Sequence, residues 1–390
     1  MQLSHILNAL GEEHQDYYNA IAPPIVQTSN FLFDTVAQMR KAFEAEYETY
    51  VYSRGINPTV DMLRQKLAAL DGAEDALVFN SGASAIFCSV LPFVQAGAHI
   101  VSVQAPYTWA HKMFTRILPR FSVQTSFIDG TKVQNWQAAI QPNTRLFYLE
   151  SPNSWTYEIQ DLAAIAQLAK QQGIITVIDN SYCTPLYQQP LAHGIDLSLQ
   201  SATKYIGGHS DCVAGVVSGS RALMERIFYS EYMTTGAGCT PFHAWLLLRG
   251  LRTLPMRLKW ISQTTTQVIS WLHHHPMVQQ VLYPLEDSFA QAGLARQYLK
   301  GAGGLFTIVL KPCTAAGIEA CCNALQRFKM AVSWGGHESL IIPRLATMPV
   351  AKYNPEQWLH RTLRLYVGLE EAAYLIADLE QAFKKLEPVV

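Results

Sequence analysis

Short apolar runs alternate with helix-like stretches over much of the chain, and this alternation most limits what it can fold into. The runs lie at 76–79, 100–103, 123–127, 146–149, 174–178, 197–200 and 213–218. Most are rich in β-branched or aromatic residues and end at Gly, Asn, Asp or Ser, as strands do. Stretches such as 62–70 and 161–172 have helical patterning. Strand–helix alternation predicts an α/β domain with a largely parallel sheet. The pattern changes near Gly250. After it, 253–274 reads as a helix, 305–310 as a strand, and a last helix follows Gly368. This predicts a cofactor-sized α/β domain over 55–250 and a smaller α+β domain over 251–390. Pro23-Pro24 and the polar stretch after them predict an extended arm over 1–54.

Hydrophobic residues make up 49% and charged residues 15%, which is a globular composition. Lys plus Arg number 29 and Asp plus Glu 30, so no net field draws nucleic acid or an anionic membrane. A small-molecule substrate is expected instead. Seven Cys at irregular spacings, with no C-x-x-C pair, read as reduced thiols of a cytoplasmic protein. The first residues, MQLSHILNALGEEHQD, lack the basic and apolar regions of a signal peptide. His273, His274 and His275 point apart on any helix, so no metal site is expected.

Three polar groups fall where apolar runs end, which is where ligands bind in parallel sheets. Asn80 leads into Ser81-Gly82-Ala83-Ser84, which opens a helix. Free N–H groups at such a start suit a phosphate, and Gly82 permits close approach. Taken alone, a plain Ser N-cap is the commoner explanation of this segment. Val177-Ile178-Asp179 closes a run with a carboxylate, which could merely cap a turn. Ser201-Ala202-Thr203-Lys204 follows 197–200. A partly buried Lys can act as nucleophile and base, although a solvated loop Lys is the commoner case. Together the three fit pyridoxal phosphate. Lys204 offers the amine for its aldehyde, Asp179 an acid for its ring nitrogen, and Ser201 and Thr203 donors for its phosphate beside Gly82.

An ordered set of motifs then carries a resemblance that runs from about Pro23 to the C-terminus. It comprises Tyr-Ser-Arg-Gly-Ile-Asn-Pro-Thr at 52–59, Ser-Gly-Ala-Ser-Ala at 81–85, Asp-Asn at 179–180 and Ser-Ala-Thr-Lys-Tyr-Ile-Gly-Gly-His-Ser-Asp at 201–211. Trp-Leu-Leu-Leu-Arg-Gly-Leu-Arg-Thr-Leu at 245–254, Ser-Trp-Gly-Gly-His-Glu-Ser-Leu at 333–340 and Arg-Leu-Tyr-Val-Gly-Leu-Glu at 364–370 complete it. The chain resembles the Cys/Met-metabolism family of pyridoxal-phosphate enzymes.

The resemblance implies the fold type I architecture, with a largely parallel seven-stranded sheet and a smaller C-terminal domain. It implies that Tyr52 and Arg54, on the arm, reach the phosphate of a neighbouring subunit. A guanidinium fork suits phosphate oxygens. The chain would then be at least a dimer, and usually a tetramer built as a dimer of dimers. It implies that Tyr107 stacks on the cofactor ring, and that Arg364 grips the substrate α-carboxylate near Ser333 and Trp334. His209 is given a structural role. Glu150-Ser151-Pro152-Asn153-Ser154-Trp155-Thr156-Tyr157-Glu158 and Trp334 resemble the bacterial cystathionine β-lyase branch. The expected reaction is β-elimination of L-cystathionine to homocysteine, pyruvate and ammonia, with Lys204 as base and Tyr52 and Tyr107 as candidate proton relays. Val332 departs from the Tyr of the β-lyase branch and from the Glu of cystathionine γ-lyase and γ-synthase. Val occurs in methionine γ-lyases, whose usual Cys is Trp109 here, and the 52–59 motif is closer to the γ-enzyme pattern. Cystathionine γ-synthase, cystathionine γ-lyase and methionine γ-lyase therefore stand as alternatives, as does a cofactor-binding regulatory protein.

Overall fold

Seven strands form the sheet of the first unit in the computed structural model, which describes residues 1–389. They are β1 (Asp75–Phe79), β2 (His99–Val103), β3 (Gln124–Ile128), β4 (Thr144–Glu150), β5 (Ile175–Asp179), β6 (Leu197–Gln200) and β7 (Gly215–Gly219). Their order is β1-β7-β6-β5-β4-β2-β3. Strand β7 runs antiparallel to both β1 and β6, and every other pair is parallel. All but β7 therefore point the same way. Their carboxyl ends lie along one edge, so residues far apart in sequence share it. Strands β1, β2, β6 and β7 are buried throughout, as expected for a sheet covered on both faces.

The helices begin where local chemistry dictates. Helix α1 is Leu3–Asn8 and α2 is Val36–Glu44. Helix α3 (Pro58–Asp71) starts with Asn57 accepting from Thr59 N and with Pro at its first position, and Gly72 ends it in a left-handed conformation. Helix α4 (Gly82–Val90) starts with Ser81 Oγ accepting from Ser84 N at 3.1 Å.

The expected arm is not uniformly extended. Ile6 and Leu7 of α1 are buried, and α1 packs on α3. Lys66 Nζ of α3 donates to Ile6 O at 3.0 Å and pairs with Glu12 at 3.0 Å. Arg252 holds the same carboxylate at 2.8 Å. Two apolar side chains and one buried ion pair thus tie the N-terminus to its own chain. Beyond it, Tyr18, Ile21, Leu32, Val36 and Phe43 are exposed.

The second unit comprises Trp155–Glu158, Gly208–Ser210 and the chain from Thr253 onward. Its sheet holds β8 (Val278–Leu282), β9 (Leu305–Leu310), β10 (Lys329–Met330), β11 (Leu340–Pro343) and β12 (Thr362–Tyr366), in the order β10-β11-β12-β9-β8. Apart from the parallel β10–β11 pair it is antiparallel. The change of pattern at Gly250 falls inside one unbroken helix, Pro241–His274. Gly250 is a contact point there. A Cβ on it would strike the carbonyl oxygens of Ile206 and Gly207, so only Gly allows that approach.

Asp71 closes α3, where a negative charge opposes the helix dipole. It is 2% exposed, and burial pushes its carboxyl up to about 7, against the opposing hydrogen bond that Gln200 Nε2 donates to its Oδ2 at 3.1 Å. A carboxyl raised in the folded state binds protons that the unfolded chain has already lost. Stability therefore falls as pH rises from the unfolded value of 3.8 towards about 7. The fall amounts to at most about 4 kcal/mol. In Asp71→Asn, the drop in Tm between about pH 5 and about pH 8 shrinks, as calorimetry would record.

Candidate active site

Strands β4, β5 and β6 end side by side in polar residues, and β1 ends at the same edge with β7 between it and β6. Phe79 leads to Asn80-Ser81-Gly82, Gln200 to Ser201, and β4 and β5 end in Glu150 and Asp179. These two carboxylates are partners in register on adjacent parallel strands.

Asp179 is buried. Burial raises its pKa, while bonds from Ser181 and the positive charge of Lys204 pull it down. Ser181 N donates to Asp179 Oδ1 at 2.9 Å, and Ser181 Oγ accepts from Ser201 N at 2.7 Å. Ser181 thus joins the end of β5 to the segment carrying Lys204. Lys204 itself is half-buried.

Glu150 was no candidate on sequence, yet it organises the neighbouring strand end. Its Oε2 accepts from Tyr107 N at 2.5 Å, and its Oε1 from Ser154 N at 2.8 Å and Ser154 Oγ at 2.6 Å. Burial raises its pKa, and the charge of Asp179 raises it further. Tyr107, 42% exposed, is fixed at its backbone by this carboxylate and precedes the helix Thr108–Lys112. The signal was present, because Leu149-Glu150 closes an apolar run just as Ile178-Asp179 does.

Gly82 opens α4 against Ser201. A Cβ at Gly82 would lie 2.9 Å from both Ser201 Cβ and Oγ, so the helix start and Ser201 line one tight cradle. Ala83, the next residue, is exposed. Thr203 is tied to the backbone of Ala214. Its Oγ1 donates to Ala214 O at 3.1 Å and accepts from Ala214 N at 3.0 Å. Tyr52 and Arg54 are brought together, with the Arg54 guanidinium 5.4 Å from the Tyr52 ring centre, and both are exposed.

In the second unit, Arg364 sits at the middle of β12, opposite Thr307 on one side and Ile342 on the other. Its guanidinium lies 5.2 Å from the ring centre of Trp155. Tyr157, fully buried, bonds Thr307 Oγ1 at 3.2 Å. Burial raises its phenol pKa while the charge of Arg364 lowers it. Ser333 has φ 83°, an uncommon conformation for a residue with a side chain, and leads into the half-buried Trp334.

A half-buried amine, a buried carboxylate under the influence of its charge, and a helix start cradling a hydroxyl suit a phosphate-bearing aldehyde with a basic ring nitrogen. Residues 5–384 match the model of the Cys/Met metabolism PLP-dependent enzymes. The chain belongs to that family, and its cofactor is pyridoxal phosphate. It is 37% identical over 380 residues to L-methionine gamma-lyase of Pseudomonas putida, covering 96% of this chain and 95% of that protein. It is 33% identical over 374 residues to cystathionine gamma-lyase of Bacillus subtilis, covering 94% and 95%. It is 32% identical over 397 residues to the L-alanine/L-glutamate racemase of Wolbachia pipientis wMel, covering 99% and 98%. None of these three is named as a β-lyase, so the expected branch gains no support from them.

Two substitutions test the cradle and the carboxylate. Gly82→Ala loses cofactor about tenfold more readily, read by dialysis and absorbance, since one charge-assisted bond is worth about that factor. Asp179→Asn lowers turnover about hundredfold or more while Tm changes little.

Proposed function

We propose that this chain cleaves a carbon–sulfur bond of an L-α-amino acid, by elimination at Cγ. The arrangement of Lys204 with Asp179, an amine and a buried carboxylate beyond adjacent strand ends, supports the cofactor chemistry, and the lyase reading is supported by the similarity to carbon–sulfur lyases of the family. The γ position is favoured by the similarity to methionine and cystathionine gamma-lyases. Applied to L-cystathionine and water, the reaction gives L-cysteine, 2-oxobutyrate and ammonia.

Bound pyridoxal phosphate supplies an electron sink for the charge left when a proton leaves the substrate. The rest falls to the chain. Lys204 takes the Cα proton and, for γ-elimination, a Cβ proton as well, so that the electrons of the Cβ–H bond expel the sulfur from Cγ. Asp179 keeps the ring nitrogen protonated. Ser201, Thr203 and the α4 amides at Gly82 and Ala83 hold the phosphate. Tyr107 covers the ring and delivers a proton to the leaving sulfur, and Glu150 fixes its backbone. Arg364 binds the α-carboxylate with Ser333 and Trp334 beside it. Tyr52 and Arg54 serve the phosphate of a second copy, so the working form is a homodimer or a tetramer of two such pairs. The exposed apolar arm supports that assembly.

A second reading, β-elimination, rests on the Ser154–Glu150 bonds and on Trp334 in the 333–340 motif. One assay separates the two. L-Cystathionine is supplied to the holoenzyme and the keto acid identified. 2-Oxobutyrate with cysteine is the expected result. Pyruvate with homocysteine overturns γ-elimination and keeps the lyase. Lys204→Ala abolishes either product, and borohydride reduction of the wild type attaches the cofactor to the peptide containing Lys204.

A further inference from the structure

One indole ring in the second unit carries two guanidinium groups. Arg364 lies 5.2 Å and Arg344 5.4 Å from the centre of Trp155. The backbone brings them together. Ile342 of β11 is the register partner of Arg364 on β12, so their side chains share a face. Pro343 is still extended, with φ −72° and ψ 139°, so Arg344 leaves the strand on the face of Ile342. Arg344 and Arg364 are then diagonal neighbours, a spacing that long side chains readily span. Trp155 is held between them in a left-handed conformation, φ 70°, that costs free energy in a residue with a side chain.

Two like charges on one ring repel each other, and the indole face offsets only part of that. Both arginines are half-buried, which strengthens their field while leaving them open to solvent. No acidic side chain among the described residues forms an ion pair with Arg344. The missing counter-charge is one that a ligand can bring.

We infer that Arg344 is a specificity-determining residue that binds a second carboxylate of the substrate, while Arg364 holds the α-carboxylate. The substrate class is thus a dicarboxylic amino acid, a thioether such as L-cystathionine with a carboxylate at its far end, and L-methionine with its neutral tail is disfavoured. This rests on the carboxylate role given to Arg364 under the proposed function. Guanidinium binds carboxylate bidentately, and a methylthio group has nothing to offer it.

The test uses the holoenzyme and needs no turnover to be decisive. Binding of glutarate and of butyrate is measured by calorimetry in wild type and in Arg344→Met. Wild type prefers glutarate by about tenfold or more, and the variant by no more than about twofold. In turnover, Arg344→Met lowers kcat/KM for L-cystathionine about tenfold through KM, and leaves that for L-methionine within about twofold. Arg344→Lys restores part of the glutarate preference, which separates charge recognition from loss of packing on Trp155. Equal binding of the two acids by wild type, or equal losses on both substrates, overturns the inference. If neither thioether is cleaved, the lyase reading fails, and the glutarate comparison still decides the role of Arg344.

Discussion

Two carboxylates buried side by side at the ends of β4 and β5 set the terms for the first unit. Glu150 and Asp179 stand in register, each raised by burial, and Glu150 also by its neighbour's charge. Such a pair survives only if donors are divided between its members. Glu150 takes three, from Tyr107 and Ser154. Asp179 takes Ser181 N and the influence of Lys204, and so remains the member with capacity for a ring nitrogen. One carboxylate becomes a brace and the other keeps room for a further donor because of the groups around each, not because of any difference in chemistry.

That division explains why site and fold are hard to separate here. The single reversed strand, β7, lets β1 run parallel to β6, so the α4 start reaches the same edge as Ser201. Ser181 then ties Asp179 to Ser201, and the Gly82 cradle closes on Ser201. A change at any of these small residues is felt by the α4 start and by Asp179 together. For the same reason Thr203 acts through the backbone, pinning the Lys204 segment to Ala214.

Much of this was legible in sequence, and the failures have physical causes. The runs 197–200 and 305–310 match β6 and β9 residue for residue, since both are buried throughout and bounded by polar residues or Gly. Asp179, Lys204 and Gly82 could be singled out because a polar residue at the end of an apolar run is a local signal. Glu150 carried the same signal but sat in a segment read for its branch resemblance. The strand β12 was missed because Arg364 interrupts its apolar residues and the segment was read for the 364–370 motif instead. The helix α1 was missed because its anchor is the distant pair Lys66–Glu12, which no local pattern reveals.

Trp155 marks a different limit. Its importance comes from two arginines 189 and 209 residues further along the chain, and no spacing rule connects them. Their meeting depends on antiparallel register, because a one-residue slip between β11 and β12 would turn Arg344 to the opposite face from Arg364. The family motifs at 333–340 and 364–370 bracket that hairpin without including Arg344. Motif matching therefore reports the chemistry that relatives share, whereas the register of two short strands decides which second charge stands beside it. A substrate preference confined to this chain would be written in that register, and the shared cofactor site would carry no trace of it.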